Sequence, residues 1–208
     1  MADFNKISEM LQKGKAKDVE ALVNQAVAEQ AAPGDILHKG LIAGMAVIGD
    51  KFKKNQVYVP EVLIAARAMN AGLKILEPLL AKSGVKPLGT VAVGTVKNDL
   101  HDIGKNLVIM MLKGAGFKVM DLGIDVSPEK FIQAAQDGAQ VLGLSALLTT
   151  TMPQMKSVVD ALKAAKSQAK VMIGGAPVTQ AYADEIGANG YAPDAASAVD
   201  VAKKLLVA

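Results

Sequence analysis

Cysteine is missing from all 208 residues, which removes disulfides, thiolate nucleophiles, Cys-ligated zinc and iron–sulfur clusters. Tryptophan is missing too. Aromatic side chains make up 3% of the chain, too few for a platform on which single-stranded nucleic acid could stack. Arginine occurs once, at Arg67, so bidentate reading of bases or phosphates has almost no material. Nucleic acid is therefore not an expected partner. No stretch approaches about 20 uninterrupted apolar residues, so neither a transmembrane helix nor a membrane partner is expected. The first residues, Met1 to Lys6, lack a basic region followed by an apolar one. A secretion signal is not expected, and the cytoplasm is the expected location. Histidine occurs only at His38 and His101, so any imidazole chemistry must run through one of them.

Hydrophobic residues make up 51% and charged residues 21%, the balance of a chain that folds around a core. At about 150 residues per domain the length suits one large domain or two small ones. The first 85 residues read as helix throughout. Ile7, Met10 and Leu11 form a short stripe that Gly14 ends, and Val19, Leu22, Val23 and Val27 repeat at helical spacing. Pro33-Gly34-Asp35 opens a third helix, on which His38 reads as a partly buried structural residue. Val59-Pro60-Glu61 opens a fourth, with Leu63, Ile64, Met69, Leu73 and Leu76 facing inward. Four helices with short connections predict an antiparallel bundle over 1–85. Ser83-Gly84-Val85-Lys86-Pro87 reads as a linker.

From residue 88 to 208 the pattern alternates. Apolar runs at 90–96, 119–122, 141–145 and 171–173 are separated by helical segments near 103–114, 128–136, 153–166, 178–186 and 195–207. Strand–helix alternation predicts a doubly wound parallel sheet of Rossmann-like type. Ligands of such sheets bind beyond the carboxyl ends of the strands, so each turn there is a candidate site.

The first strand runs into Lys97-Asn98-Asp99-Leu100-His101-Asp102-Ile103-Gly104-Lys105. A carboxylate two residues before a histidine can fold back onto the ring, hold one nitrogen as donor and leave the other free as ligand or base. Gly104 allows close approach of a bulky group to the following helix. The same turn also reads as a plain helix N-cap built on Asp99 or Asp102. A phosphate loop fails, because Asp99 and Asn106 stand where Gly and Ser or Thr are needed. A dinucleotide turn fails for want of G-x-G-x-x-G.

Asp99-x-His101-x-x-Gly104, with Ser145-Ala146-Leu147 and Gly174-Gly175 downstream, resembles the signature of cobalamin-binding domains that take the corrinoid base-off and His-on. Gly49-Asp50-Lys51-Phe52 and Val59-Pro60-Glu61-Val62 resemble the helical cap of methionine synthase and of methyl-carrying corrinoid proteins, so the likeness spans nearly the whole chain. The resemblance implies His101 as lower axial ligand of the corrinoid cobalt, in a relay with Asp99 and Thr151. Thr151 stands where the family commonly has serine, and Asn98 where it often has glycine. A modest change in the loop is expected from these departures. It further implies cofactor contacts from Asn98, Asp102, Ile103, Gly104, Ser145, Leu147, Thr149, Gly174, Gly175, Tyr191 and Ala195, with small residues lining a slot for the nucleotide tail. From the cap, Phe52, Val59 and Val62 are implied as an apolar lid over the upper cobalt face.

The function that this likeness implies is methyl carriage. A substrate-specific methyltransferase delivers a methyl group from an O-methyl or N-methyl compound to Co(I). A second methyltransferase takes it from methyl-Co(III) to tetrahydrofolate or coenzyme M, and a reductive activase rescues Co(II). Two other roles use the same sheet domain: the small subunit of an adenosylcobalamin mutase, which usually lacks the helical cap, and a cobalamin-based sensor module, which would normally carry a DNA-binding domain.

Overall fold

The computed structural model describes residues 2–207. They divide into two compact units, residues 2–86 with 114–116, and residues 87–113 with 117–207.

In the first unit, Ile7, Met10 and Leu11 form the buried stripe of α1 (Phe4–Gln12), which Asp3 caps by accepting from the Lys6 amide at 2.9 Å. Helix α2 (Ala16–Ala28) buries Val19, Val23 and Ala26. The third predicted helix is composite. A single turn, α3 (Pro33–Asp35), runs into a π-helical stretch, Ile36–Ile42, and then into α4 (Ala43–Lys53). His38 lies in the π-helical stretch and is exposed, not partly buried as its apolar neighbours suggested. Helix α5 (Val59–Ser83) starts where Glu61 accepts from the Tyr58 amide at 3.0 Å and ends at Gly84 with φ 71°. Its buried stripe is Val62, Ala65, Met69, Gly72 and Leu76, so Leu63 and Ile64 face solvent rather than inward. The small residues at 65, 68 and 72 are what turn that face toward the bundle, and Ile64 instead covers the turn at Gly14.

The second unit is a five-stranded, wholly parallel sheet in the order β2-β1-β3-β4-β5. Its strands are β1 (Thr90–Val96), β2 (Lys118–Val126), β3 (Val141–Ser145), β4 (Lys170–Gly174) and β5 (Gly190–Tyr191). Between them run α6 (Ile103–Gly114), α7 (Pro128–Gln136), α8 (Pro153–Ala164) and α9 (Gln180–Ile186), and α10 (Ala195–Val207) closes the chain. Strand β5, only two residues long, has no signal in the sequence pattern. One buried cluster, built on Phe131, Met155, Val158 and Leu162, joins α7, α8 and α9 to the sheet, while α10 packs on β3, β4 and β5 outside that cluster. Both faces are thus covered, which is why β1 reads as a continuous apolar run and is buried from Val91 to Val96.

Strand β2 is longer than its apolar run suggested. Against β1 it pairs Asp121 with Val93, Gly123 with Gly94 and Val126 with Val96. Two extra residues are accommodated by these register shifts, and β2 bends at each. The order of strands reverses between β1 and β3, the position at which open parallel sheets form a crevice beyond their carboxyl ends.

Candidate functional site

The turn after β1 carries His101 into that crevice. Thr95, fully buried in β1, donates its hydroxyl to the His101 carbonyl at 2.7 Å and ties the turn to the strand. Asn98 has φ 66°, a conformation glycine adopts freely and asparagine tolerates, which explains how Asn replaces the glycine often found there.

Asp99 is fully buried, yet four donors converge on it. Its Oδ1 takes the His101 amide at 3.1 Å and faces the His101 Nδ1 at 2.7 Å. Its Oδ2 takes the Leu147 amide at 2.8 Å and the Thr151 hydroxyl at 2.7 Å. Burial pushes this carboxyl upward, but the bonds from Thr151, Leu147 and His101 outweigh it and hold Asp99 well below the usual carboxylate range. An ionised carboxylate only accepts, so Nδ1 of the ring must donate. In the neutral ring the lone pair then sits on Nε2. Thr151 is itself buried, and its single proton has two acceptors in reach, Asp99 Oδ2 and the Leu148 carbonyl at 2.9 Å. The charged acceptor takes it by preference.

The His101 side chain is 49% exposed, so Nε2 is presented while Nδ1 is locked. The segments that bond to this turn carry exposed apolar side chains. Leu100 is 67% exposed and Ile103 78%, and Ile124, Leu147 and Leu148 are exposed as well. Each lies within two residues of a group that bonds the His101 turn. Ile103 and Leu147 are among the residues the sequence predicts. Leu100, Leu148 and Ile124 are not, although a leucine between Asp99 and His101 in an otherwise polar turn is a readable signal.

Gly104, in the first turn of α6, would meet nothing within 4 Å if it carried a Cβ, so no contact inside the chain asks for glycine there. Asp102 precedes α6, its carbonyl accepting the Asn106 amide at 2.8 Å and its Oδ2 the Asn106 side-chain amide at 3.1 Å. Asp102, rather than Asp99, therefore fills the N-cap position.

The other strand ends are built from small residues for steric reasons. Ser145 ends β3 in register with Thr95 of β1 and Gly174 of β4. A Cβ on Gly174 would lie 2.9 Å from the Ala192 carbonyl oxygen. Gly175 has φ 136°, and a Cβ there would lie 1.9 Å from the Ala146 carbonyl oxygen. Thr149 is exposed in the turn that Thr151 closes. Tyr191 is half-buried against the sheet core and Ala195 is buried at the start of α10. Phe52, Val59 and Val62 belong to the helical unit, the first two half-buried and the third fully buried.

These residues fit a corrinoid. Among the described residues no group of three or more His, Cys, Asp or Glu side chains could hold a metal ion. A single presented imidazole nitrogen instead suits a metal whose other positions a macrocycle fills. The apolar rim and the open space at Gly104 suit the body of such a macrocycle. No helix among the described residues is long and apolar enough to cross a membrane.

Comparison with known proteins agrees with this geometry. Two models described as B12 binding domain match, one over residues 89–200 and one over residues 4–77. A corrinoid protein of Desulfitobacterium hafniense is 41% identical, over 99% of this chain and 98% of that protein. Dimethylamine corrinoid protein 3 of Methanosarcina acetivorans is 46% identical over 93% of this chain and 91% of its own length. Among solved structures, the methanol:cobalamin methyltransferase complex of Methanosarcina barkeri is similar with a TM-score of 0.87 and 30% identity, covering 98% of this chain and 79% of that one. A helical unit and a parallel sheet, each matched by its own B12-binding model and together aligned along nearly the whole length of corrinoid proteins, establish that this chain belongs to the B12-binding corrinoid protein family.

Proposed function

We propose that the chain is a methyl-carrying corrinoid protein in which His101 Nε2 is the lower axial ligand and the benzimidazole tail is held off the metal. The observation that carries this reading is the asymmetry of the His101 ring: Nδ1 is bound at 2.7 Å to a buried carboxylate while the ring remains half exposed among apolar side chains. A bound corrinoid supplies a cobalt centre that can accept a methyl group and later release it.

The chain's own residues do the rest. Asp99 fixes the ring orientation and keeps the proton on Nδ1, which makes Nε2 a better donor. Thr151 and the Leu147 amide keep Asp99 charged. Ile103, Leu147 and Gly104 provide an apolar seat. Ser145, Thr149, Gly174 and Gly175 leave room at the strand ends for the nucleotide tail, with Tyr191 and Ala195 beside it. Asn98 and Asp102 shape the turn. Of the three residues expected to form an apolar lid, Phe52 and Val59 are half-buried and keep surface to offer, whereas Val62 is fully buried among the helices and serves their packing instead. The names of the relatives support a substrate-specific methyltransferase as first partner, serving a methylated amine or methanol. An acceptor methyltransferase using tetrahydrofolate or coenzyme M, and a reductive activase, complete the system in the cytoplasm.

Electron paramagnetic resonance of the corrinoid-loaded chain in its Co(II) form, with nitrogen-15 histidine, tests the ligation. Coupling to histidine nitrogen is expected; coupling to benzimidazole with none to histidine overturns it. Carriage is tested by transfer of a radiolabelled methyl group from dimethylamine or methanol, with the matching methyltransferases. Transfer should require this chain, and transfer that proceeds equally well without it refutes the role.

A further inference from the structure

We propose that Asp125, at the bent end of β2, is a positioning residue for His101. This rests on the corrinoid reading above for its purpose, but not for its geometry. The Asp99 side chain clamps the His101 turn from the β3 side, through Leu147 and Thr151. The backbone of the same turn is held from the opposite strand. Asp125 Oδ1 accepts the Asn98 amide at 2.7 Å, and the Asp125 amide donates to the Asp99 carbonyl at 3.1 Å. One residue thus holds the peptide group before Asn98 and the one after Asp99, bracketing the pair.

The placement of Asp125 depends on the bends in β2. The strand gains one residue on β1 between Asp121 and Gly123 and another between Gly123 and Val126. Gly123 has φ 85° and Asp125 φ 51°, and across from them Asn98 has φ 66°. Glycine adopts this conformation freely and Asn and Asp are the side chains that tolerate it best, so all three residue types suit the bend, and Asp125 is held in it by its two bonds to the His101 turn. A second anchor secures the far end. Asp121 Oδ1 accepts the Gly123 amide at 2.9 Å and pairs with Lys105 of α6, whose side chain is 3% exposed, at 2.6 Å. The helix that follows His101 and the strand end that holds Asn98 are therefore pinned to each other. A ring nitrogen must sit within a few tenths of an ångström to ligate, and a turn anchored on one side only would pivot about the Asp99 carboxylate.

The acceptor, not the charge, is what the geometry requires, so Asp125→Asn and Asp125→Ala separate the two. Hydrogen exchange is read at the Asn98 and His101 amides in the full chain. With the acceptor removed, exchange at both should speed up about tenfold or more in D125A. In D125N it should stay within about threefold of the unaltered chain. A purely structural role would speed exchange across the whole sheet unit instead of at these two amides. In the corrinoid-loaded Co(II) form, D125A should retain corrinoid but lose a measurable share of its histidine nitrogen coupling, and D125N should restore it. Unchanged exchange in D125A, or equal disturbance in both variants, overturns the proposal. If D125A does not fold, the unaltered chain decides: an Asn98 amide that exchanges like a free loop residue refutes it. If the unaltered chain shows no histidine coupling, the corrinoid reading fails while the exchange arms still judge Asp125.

Discussion

Asp99 and Thr151 stand 52 residues apart in the chain, yet the threonine hydroxyl reaches the buried carboxylate at 2.7 Å, on the oxygen that does not face His101. The two halves of the histidine clamp therefore come from turns after different strands, β1 and β3. Substituting Thr151→Val keeps the shape and deletes the hydroxyl. One of the four bonds to a buried charge is lost, with an expected loss of about 1.5–3 kcal/mol in folding stability. Thr151→Ser should recover most of it. Urea denaturation midpoints check both, and an unchanged midpoint in T151V would show that the hydroxyl contributes nothing to the clamp.

Two glycines should behave in opposite ways. Gly175→Ala forces a Cβ to 1.9 Å from the Ala146 carbonyl oxygen at a φ of 136°, so severe destabilisation or failure to fold is expected. Gly104→Ala adds a methyl group to open space in a helical turn, where alanine is favoured by up to about 1 kcal/mol. Thermal stability should hold or rise while corrinoid affinity falls. An unaltered affinity in G104A would show that the open space at residue 104 is not used by the cofactor.

Acid should weaken the fold partly through Asp121. Burial raises its carboxyl, but the bond from Lys105, the Gly123 amide and the charges of Lys105 and Lys113 lower it further, so its folded value lies below its unfolded one. The stabilisation is fully present above the unfolded value of about 3.9 and disappears as pH falls through the lower, folded value. Asp121→Asn keeps an acceptor for Lys105 but cannot titrate. The stability difference between the unaltered chain and D121N should be greatest near neutral pH and shrink below pH ~4. A difference independent of pH would mean that the pair does not titrate on folding.

The sheet unit should stand alone. A fragment of residues 88–208 is expected to unfold cooperatively and to retain corrinoid, because the His101 clamp and the strand-end glycines all lie within it. A fragment that folds and takes up no corrinoid would move part of the binding determinants into residues 1–85.

The parallel sheet was legible because a strand covered on both faces has few sequence alternatives to a continuous apolar run. The pairing of Asp99, His101 and Thr151 was legible through resemblance, and the Asp99–His101 half through spacing alone. What stayed hidden has a common cause. The Leu147 amide and the carbonyls of Asp99 and Leu148 act through the backbone, which leaves no mark on residue type. Asp125 depends on two extra residues in β2, and nothing in 118–126 marks where the bends fall except Gly123. On α5, apolar residues surround the helix, so spacing allowed Leu63 and Ile64 to face inward. The deciding signal was the row of small residues at Ala65, Ala68 and Gly72. The π-helical stretch around His38 had no counterpart in the helical periodicity.

The separation between the histidine turn and its clamp also sets an order of events during synthesis. His101 leaves the ribosome well before Leu147 and Thr151, which follow 48 and 52 residues after Asp99. At about 5–20 residues per second that interval lasts several seconds. Throughout it the Asp99 carboxylate has neither of its partners from the β3 turn, and β1 has only one of its two neighbours. The nascent chain therefore cannot hold the imidazole in its finished orientation until the third strand has crossed over and joined the sheet. The finished geometry of the ring is thus acquired late and in one step, with the docking of β3.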